Sequence, residues 1–344
     1  MEEKMKKLIN IIGSAAIALT LGLSAAKAEG GGFDDGMSTK FYESMKGKKV
    51  VFVPISIGMD IAAGFAAGMQ RMADQYGFQL QIRDPNWNVD QGVQAITQII
   101  SEHPDLVIIQ NVDMQAYARV IKQAMEAGVR VLQVNVKATT NSTAHVGIDW
   151  YKNAETNALK LVEKCSPKNG GNGKIAALEG TPNNPTNFIG MKAFNDVMAA
   201  HPEMTVVSDQ AADWDASKAH SVVSTVVRQS PDLCGYFGLW DGQDSGMAAA
   251  IREAGLTGKV FVVSQGAGEK AACEKIADGS YDFYVSYNIR ELSKHINDAI
   301  AVILQRPAGE TLEPFAIYLT TQNLTKEALT PSSCWTLDEI KRGY

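Results

Sequence analysis

The sequence predicts an α/β protein made of two doubly wound parallel-sheet lobes joined by a multi-strand hinge. Three observations predict it: short unbroken apolar runs, helical runs between them that stop at glycines, and a second series of the same kind after a Gly/Lys/Asn-rich turn at 166–173. An apolar run without polar alternation is buried on both faces, as in a parallel sheet with helices on either side. Alternation of such strands with amphipathic helices gives the doubly wound order.

Residues 50–55 read as the first buried strand. Ile61, Phe65, Met69 and Met72 then recur at helical spacing, and Gly77 is the stop. The unit repeats as strand 78–82, helix 89–100, strand 106–109, helix 114–127, strand 129–134 and a short strand 144–147 that leads into Asp149-Trp150. The second series has strands at 174–178, 205–208, 235–239, 259–263 and 282–286, with helices near 187–199, 216–229, 245–254 and 270–277. A helix at 290–304 ends at Pro307, and one strand-like run, 315–320, precedes an irregular tail. The expected organisation is an N-terminal linker at 29–47, a first lobe at 48–148 plus 288–313, and a second lobe at 149–287 plus 314–344 with the tail. Because open α/β sheets bind ligands beyond the carboxyl ends of their strands, a cleft between the lobes is the expected site.

Ahead of these units stands an export signal. Lys4, Lys6 and Lys7 form a basic start, residues 8–23 are apolar, and Ala26-Lys27-Ala28 is a small-x-small cleavage pattern. The run is short for a membrane anchor, so cleavage after Ala28 and a location in the periplasm are expected. An exported α/β chain has no cytosolic ATP or nicotinamide pool to work on. Without residues 1–28 the chain keeps 28 basic and 36 acidic residues, a net charge of −8, which argues against nucleic acid and anionic membrane surfaces as partners.

Four cysteines follow the signal, Cys165, Cys234, Cys273 and Cys334. An oxidising compartment permits disulfides, and four cysteines allow three pairings that sequence does not separate. Buried thiols are the alternative; for Cys334-Trp335, a tie to Cys165 is the pairing considered. No spacing fits zinc, and the five histidines are scattered. The phosphate-loop pattern fails, because Ile175 follows Gly173-Lys174 and Lys168 stands where its first Gly belongs. Gly266-Ala267-Gly268-Glu269-Lys270-Ala271 loosely fits a dinucleotide turn, but no acidic residue ends a following strand at the right distance. No GxSxG or HExxH occurs. Neither an enzyme nor a cofactor is expected.

The chain resembles the periplasmic sugar-binding proteins of the ribose/galactose type, the soluble receptors of ABC importers, over residues 48–322. The resemblance rests on the strand at 50–56 followed by Gly64-Phe65-Ala66-Ala67-Gly68-Met69, on Pro104-Asp105-Leu106-Val107-Ile108-Ile109 with Val112-Asp113, and on Ala127-Gly128-Val129-Arg130-Val131. Ala212-Asp213-Trp214-Asp215 and residues 237–241 complete it. It implies a type I periplasmic binding protein, a monomer that closes two lobes on a small solute and hands it to permease subunits in the inner membrane. A sensor presenting its ligand to a chemoreceptor or a histidine kinase shares the fold.

Carried over position by position, the resemblance makes Trp214 a ring that stacks on the solute and Trp240 a second cleft ring, with Asp241 either a ligand acceptor or a helix N-cap. Asn135 stands where sugar binders carry Asp followed by Arg, and Gln265 where they often carry Asp. Tyr287 or Asn288 replaces a crossing-strand amide, and Asn187 lies near the second lobe's Arg. Ser56, Met59 and Asp60 line the first strand-to-helix loop, Asp60 read first as an N-cap. Amides, a phenol and two indoles in place of a carboxylate–Arg grip imply an uncharged ligand. A neutral polyol or modified sugar is expected, with a less hydroxylated cyclic or aromatic solute as the alternative. No Lys or Arg is expected in the cleft.

Overall fold

The protein was analysed as a computed structural model that describes residues 35–343. The export signal at 1–28 and residues 29–34 of the expected linker lie outside the described residues. The remainder of that linker is not featureless, since Met37–Met45 forms helix α1.

The first sheet contains β1 (Lys49–Val53), β2 (Gln79–Ile82), β3 (Leu106–Ile109), β4 (Val131–Asn135) and β5 (Ala144–Ile148). The second contains β6 (Lys174–Glu179), β7 (Thr205–Ala211), β8 (Gly235–Phe237), β9 (Phe261–Gly266) and β10 (Phe283–Ser286). Both run in one order, β2-β1-β3-β4-β5 and β7-β6-β8-β9-β10, and all these neighbours are parallel. The order reverses at β1/β3 and at β6/β8, where a doubly wound sheet opens its ligand crevice.

Helices α2 (Asp60–Tyr76), α3 (Val89–Glu102) and α4 (Met114–Glu126) connect the first strands. In the second half come α5 (Trp150–Cys165), α6 (Pro185–Ala200), α7 (Ala216–Gln229), α8 (Asp241–Glu253) and α9 (Lys270–Ala277). Short polar caps start five of them: Asn88, Asp113, Asp149, Asn184 and Asp215 each accept a backbone N–H from the first turn. Periodicity along the chain does not single out α5, yet Ala154, Ala158 and Leu161 bury it under the second sheet with Phe237 and Val263. On one face of the first sheet Val51, Val53, Val107 and Ile109 pack on Ile96 and Ile99 of α3 and on Tyr117 and Ile121 of α4.

The C-terminal segment departs from the expected boundaries at a single strand. Helix α10 (Ile289–Leu304) packs on α2 and the first sheet. Strand β11 (Phe315–Leu319) then pairs in parallel with β5 and so extends the first sheet, whereas it was expected in the second lobe. Two residues later β12 (Gln322–Leu324) pairs antiparallel with β10 and closes the edge of the second sheet. The tail ends in helix α11 (Leu337–Arg342), opened by a Thr336/Glu339 capping box. Two disulfides form, Cys165–Cys234 and Cys273–Cys334. Cys334 therefore joins α9 and not Cys165, which is taken by its neighbour across α5 and β8. Among the described residues no helix is long and apolar enough to cross a membrane.

Candidate functional site

The loops that follow β1 to β10 line two adjoining cavities between the sheets. The inner one, about 50 Å³, is lined by Gln110, Asn135 and Trp150, by Asn184 and Thr186, by Trp214, Leu239 and Trp240, and by Tyr287. The outer one, about 820 Å³, is lined from the first lobe by Ser56, Asp60 and their neighbours, and from the second by Asp213, Asp215, Asp241, Glu269 and Lys275. Met59, Ile61, Trp87, Trp214 and Trp240 face both cavities. A wall of indoles thus separates a neutral inner space from a charged outer one. Among the described residues no Asp, Glu, Lys or Arg lines the inner cavity. The expectation of a cleft without Lys or Arg fails in the outer chamber, where Lys275 is present.

The indole wall is made by two loops in matching positions, one after the second strand of each sheet. Trp87 and Trp214 both hold left-handed backbones, with φ of 68° and 64°, and so do the residues before them, Asn86 at 47° and Asp213 at 52°. Such angles cost a bulky residue of the order of 1–3 kcal/mol and persist only where surrounding contacts impose them. Here the Trp87 N–H donates to Ile55 O at 2.9 Å and the Trp214 N–H to Gln243 Oε1 at 2.7 Å. Trp240 stands between the two, its ring centroid 6.5 Å from that of Trp87 and 6.2 Å from that of Trp214. Glycines clear the space: a Cβ on Gly180 would fall inside the Trp214 ring, and one on Gly242 would come 2.5 Å from Trp240.

Asn135 ends β4 with φ 61°, and its carbonyl accepts the Trp150 Nε1–H at 2.8 Å. Trp150 packs edge-on to Tyr287, centroids 5.2 Å apart. The side-chain oxygen of Asn135 and Nε1 of Trp214 are buried without a hydrogen-bond partner among the described residues, and both residues line the inner cavity. Across the lobes, Asn184 Nδ2 donates to Val112 O at 3.3 Å.

In the outer chamber, Asp241 does not cap its helix; Trp240 occupies that position without a side-chain cap bond. Asp241 Oδ2 instead accepts the Tyr284 hydroxyl at 2.6 Å. Burial pushes the Asp241 carboxyl up to about 6, opposed in part by that hydrogen bond. Burial and the neighbouring Asp241 push Glu269 well above the usual carboxylate range. Asp60 is likewise not an N-cap, since Met59 precedes α2 and Asp60 lies in its first turn.

Of the residues singled out from sequence, Ser56, Met59, Asp60, Asn135, Trp214, Trp240, Asp241 and Tyr287 line one or both cavities. Asn187 and Gln265 line neither. Asn187 turns back to bond Gly180 N and Glu179 Oε2, at 2.7 and 2.8 Å, and so fixes the end of β6. Gln265 is fully buried and donates to Leu239 O at 3.1 Å. Trp87, Gln110, Trp150, Asn184, Thr186 and Glu269 join the site without having been singled out. The Trp87 signal was present: Asn86-Trp87-Asn88 matches Asp213-Trp214-Asp215, in each case a tryptophan flanked by Asx residues ahead of a helix.

Residues 50–310 match the family described as periplasmic binding protein domain. The chain is 22% identical over 199 residues to the D-apiose import binding protein of Actinobacillus succinogenes, covering 57% of this chain and 63% of that one. It is 26% identical to the fructose import binding protein of Bifidobacterium longum, over 82% and 84% of the two chains. An ABC transporter solute-binding protein from Burkholderia graminis, solved with D-arabinose, superposes with a TM-score of 0.74 at 22% identity, over 84% of this chain and 98% of that one. The match over most of its length places this chain in the periplasmic binding protein domain family.

Proposed function

We propose that the chain is the periplasmic receptor of an ABC importer, freed by cleavage after Ala28, that closes its lobes on a small neutral solute and delivers it to a membrane permease. The solute is a sugar, a polyol or a close relative, and the protein acts as a monomer without a cofactor and without catalysis. The observation that carries this reading is the lining of the inner cavity, a space of about 50 Å³ that adjoins the outer chamber of about 820 Å³. Residues from both lobes meet there, its polar groups are amides and hydroxyls, its walls are indoles, and no charged side chain enters. A ring face suits the C–H face of a sugar, and an uncharged lining leaves a carboxylate or ammonium group without a counter-charge. A ligand touching both lobes binds the closed form better and shifts the equilibrium towards it. The sugar-import names of the relatives support the same class. A less hydroxylated cyclic solute is the second reading, favoured by the apolar surface that Ile55, Val136 and Leu239 add to the indoles.

A thermal-shift screen of the purified mature protein against neutral sugars, polyols and small cyclic compounds tests this. A ligand at a hundred times its Kd adds about 2.7 kcal/mol, which raises the melting midpoint by a few degrees. Shifts confined to amino acids or carboxylates would overturn the reading.

A further inference from the structure

We infer that the C-terminal tail is a disulfide-tethered strap that clasps the two lobes and biases the hinge towards the closed form. The tail is fixed to both lobes. On the second, Cys334 is bonded to Cys273 of α9. Trp335 next to it is 3% exposed and donates its N–H to Gly268 O at 3.0 Å. Its carbonyl accepts from Lys270 N at 2.9 Å, and its indole Nε1–H donates to Ala267 O at 2.9 Å. On the first lobe, α11 packs against α2. Ile340 is 2% exposed, and it sits over Gly64, where a Cβ would come 3.1 Å from Ile340 Cδ1 and 3.6 Å from the Trp335 ring. Arg290, at the start of α10, holds Glu339 Oε2 at 2.9 Å and Cys334 O at 3.3 Å.

The two anchorages leave no slack. Only Trp335 separates the bridged Cys334 from Thr336, the cap of α11, and one residue spans about 3.6 Å even when extended. The three chain crossings, at Asp149, 287–288 and 320–321, link the sheets without a cross-link, whereas this crossing is covalently pinned to α9. A rotation of the lobes must therefore shear Trp335 across Gly64 or peel α11 from α2. Of the two attachments α11 is the weaker, because it is a six-residue helix with a single buried residue, Ile340, among the described residues. The lobes touch in this arrangement, through Asn184 Nδ2 and Val112 O at 3.3 Å, and opening them costs the strap its contacts, so the strap adds to closure whatever the ligand is.

Small-angle X-ray scattering of the full mature chain without added ligand tests this, on wild type, Ile340→Asp, Cys273→Ser/Cys334→Ser, and Cys165→Ser/Cys234→Ser. The first two variants cut the strap at opposite ends, and the third removes a disulfide confined to the second lobe. Circular dichroism confirms that each is folded, and the double variant stands in if Ile340→Asp is not. The expected result is that cutting either end raises the open-to-closed ratio on the order of tenfold, that combining the cuts adds little, and that the Cys165/Cys234 variant scatters like wild type. Unchanged scattering in both strap variants would overturn the inference, as would an equal change in the Cys165/Cys234 variant. A failed ligand screen would leave this outcome untouched, because no ligand enters the measurement.

Discussion

Trp87 and Trp214 show how far single residues could be read. Trp214 was accessible through its strand-end position and its resemblance to a known loop. Trp87 needed the further step of matching the two halves of the chain. Neither left-handed backbone is visible in sequence, because Asn and Asp tolerate that conformation but do not compel it. Gln265 and Asn187 show the reverse. Gln265 was placed in the cleft by its strand and Asn187 by its nearness to the family's Arg, but Leu239 O and the Gly180 N–H, just beyond β8 and β6, took them as internal partners. The site reading predicts that Gly180→Ala leaves the fold intact but displaces the Trp214 ring, abolishing the thermal shift from any ligand found; an unchanged shift would remove Trp214 from the site. Asp241 gives a pH test. Its carboxyl titrates at about 6 instead of 3.8, so the folded state holds the proton more tightly than the unfolded chain. Stability from this group is therefore fully present below about pH 4, falls as pH rises to about 6, and then levels off. Asp241→Asn should raise the melting midpoint at pH 7.5 and have little effect at pH 3.5. An equal rise at both values would contradict the assignment.

At the scale of elements, the buried parallel strands were the most legible, since β3 is apolar and buried throughout, β1 is so from Val50 to Val53, and β4 is interrupted only by Gln133 before its terminal Asn135. Helix α5 was not, because Asn153 and Asn157 lie on its buried face beside Ala154 and Ala158 and blur the apolar stripe. Asn157 Nδ2 reaches Ser264 O at 3.1 Å, a partner 107 residues away that local periodicity does not reveal. β12 is three residues long and gains its strand character only from β10. Close helix approaches carry a prediction of their own. Gly92 of α3 leaves room for the Tyr117 hydroxyl of α4, which a Cβ would overlap. Gly92→Ala should destabilise by about 1–3 kcal/mol, seen as a lower urea midpoint; an unchanged midpoint would mean that the two helices part at no cost.

For the whole molecule, the repeat of one strand order in two sheets was foreseeable from the alternation of strands and helices. The exchange of the last strands was not. β11 and β12 are separated by two residues yet belong to different sheets, a choice set by which sheet edge is open. The disulfide pairing was likewise beyond sequence, as three pairings have equal standing until the fold brings Cys334 to α9. Peptide mapping of the non-reduced protein should find Cys165 linked to Cys234 and Cys273 to Cys334. Removing the first bridge, which closes a loop of 69 residues, should cost about 2–4 kcal/mol and lower the melting midpoint in proportion. In the proposed function, indoles from both lobes close on one uncharged solute. Its most direct test is a titration of intrinsic tryptophan fluorescence with the neutral sugars and polyols, on wild type and on Trp87→Phe and Trp214→Phe. The expected result is a saturable change for at least one neutral compound, weakened in both variants, one from each lobe. Saturation only by charged solutes, or a response that both variants keep in full, would contradict it.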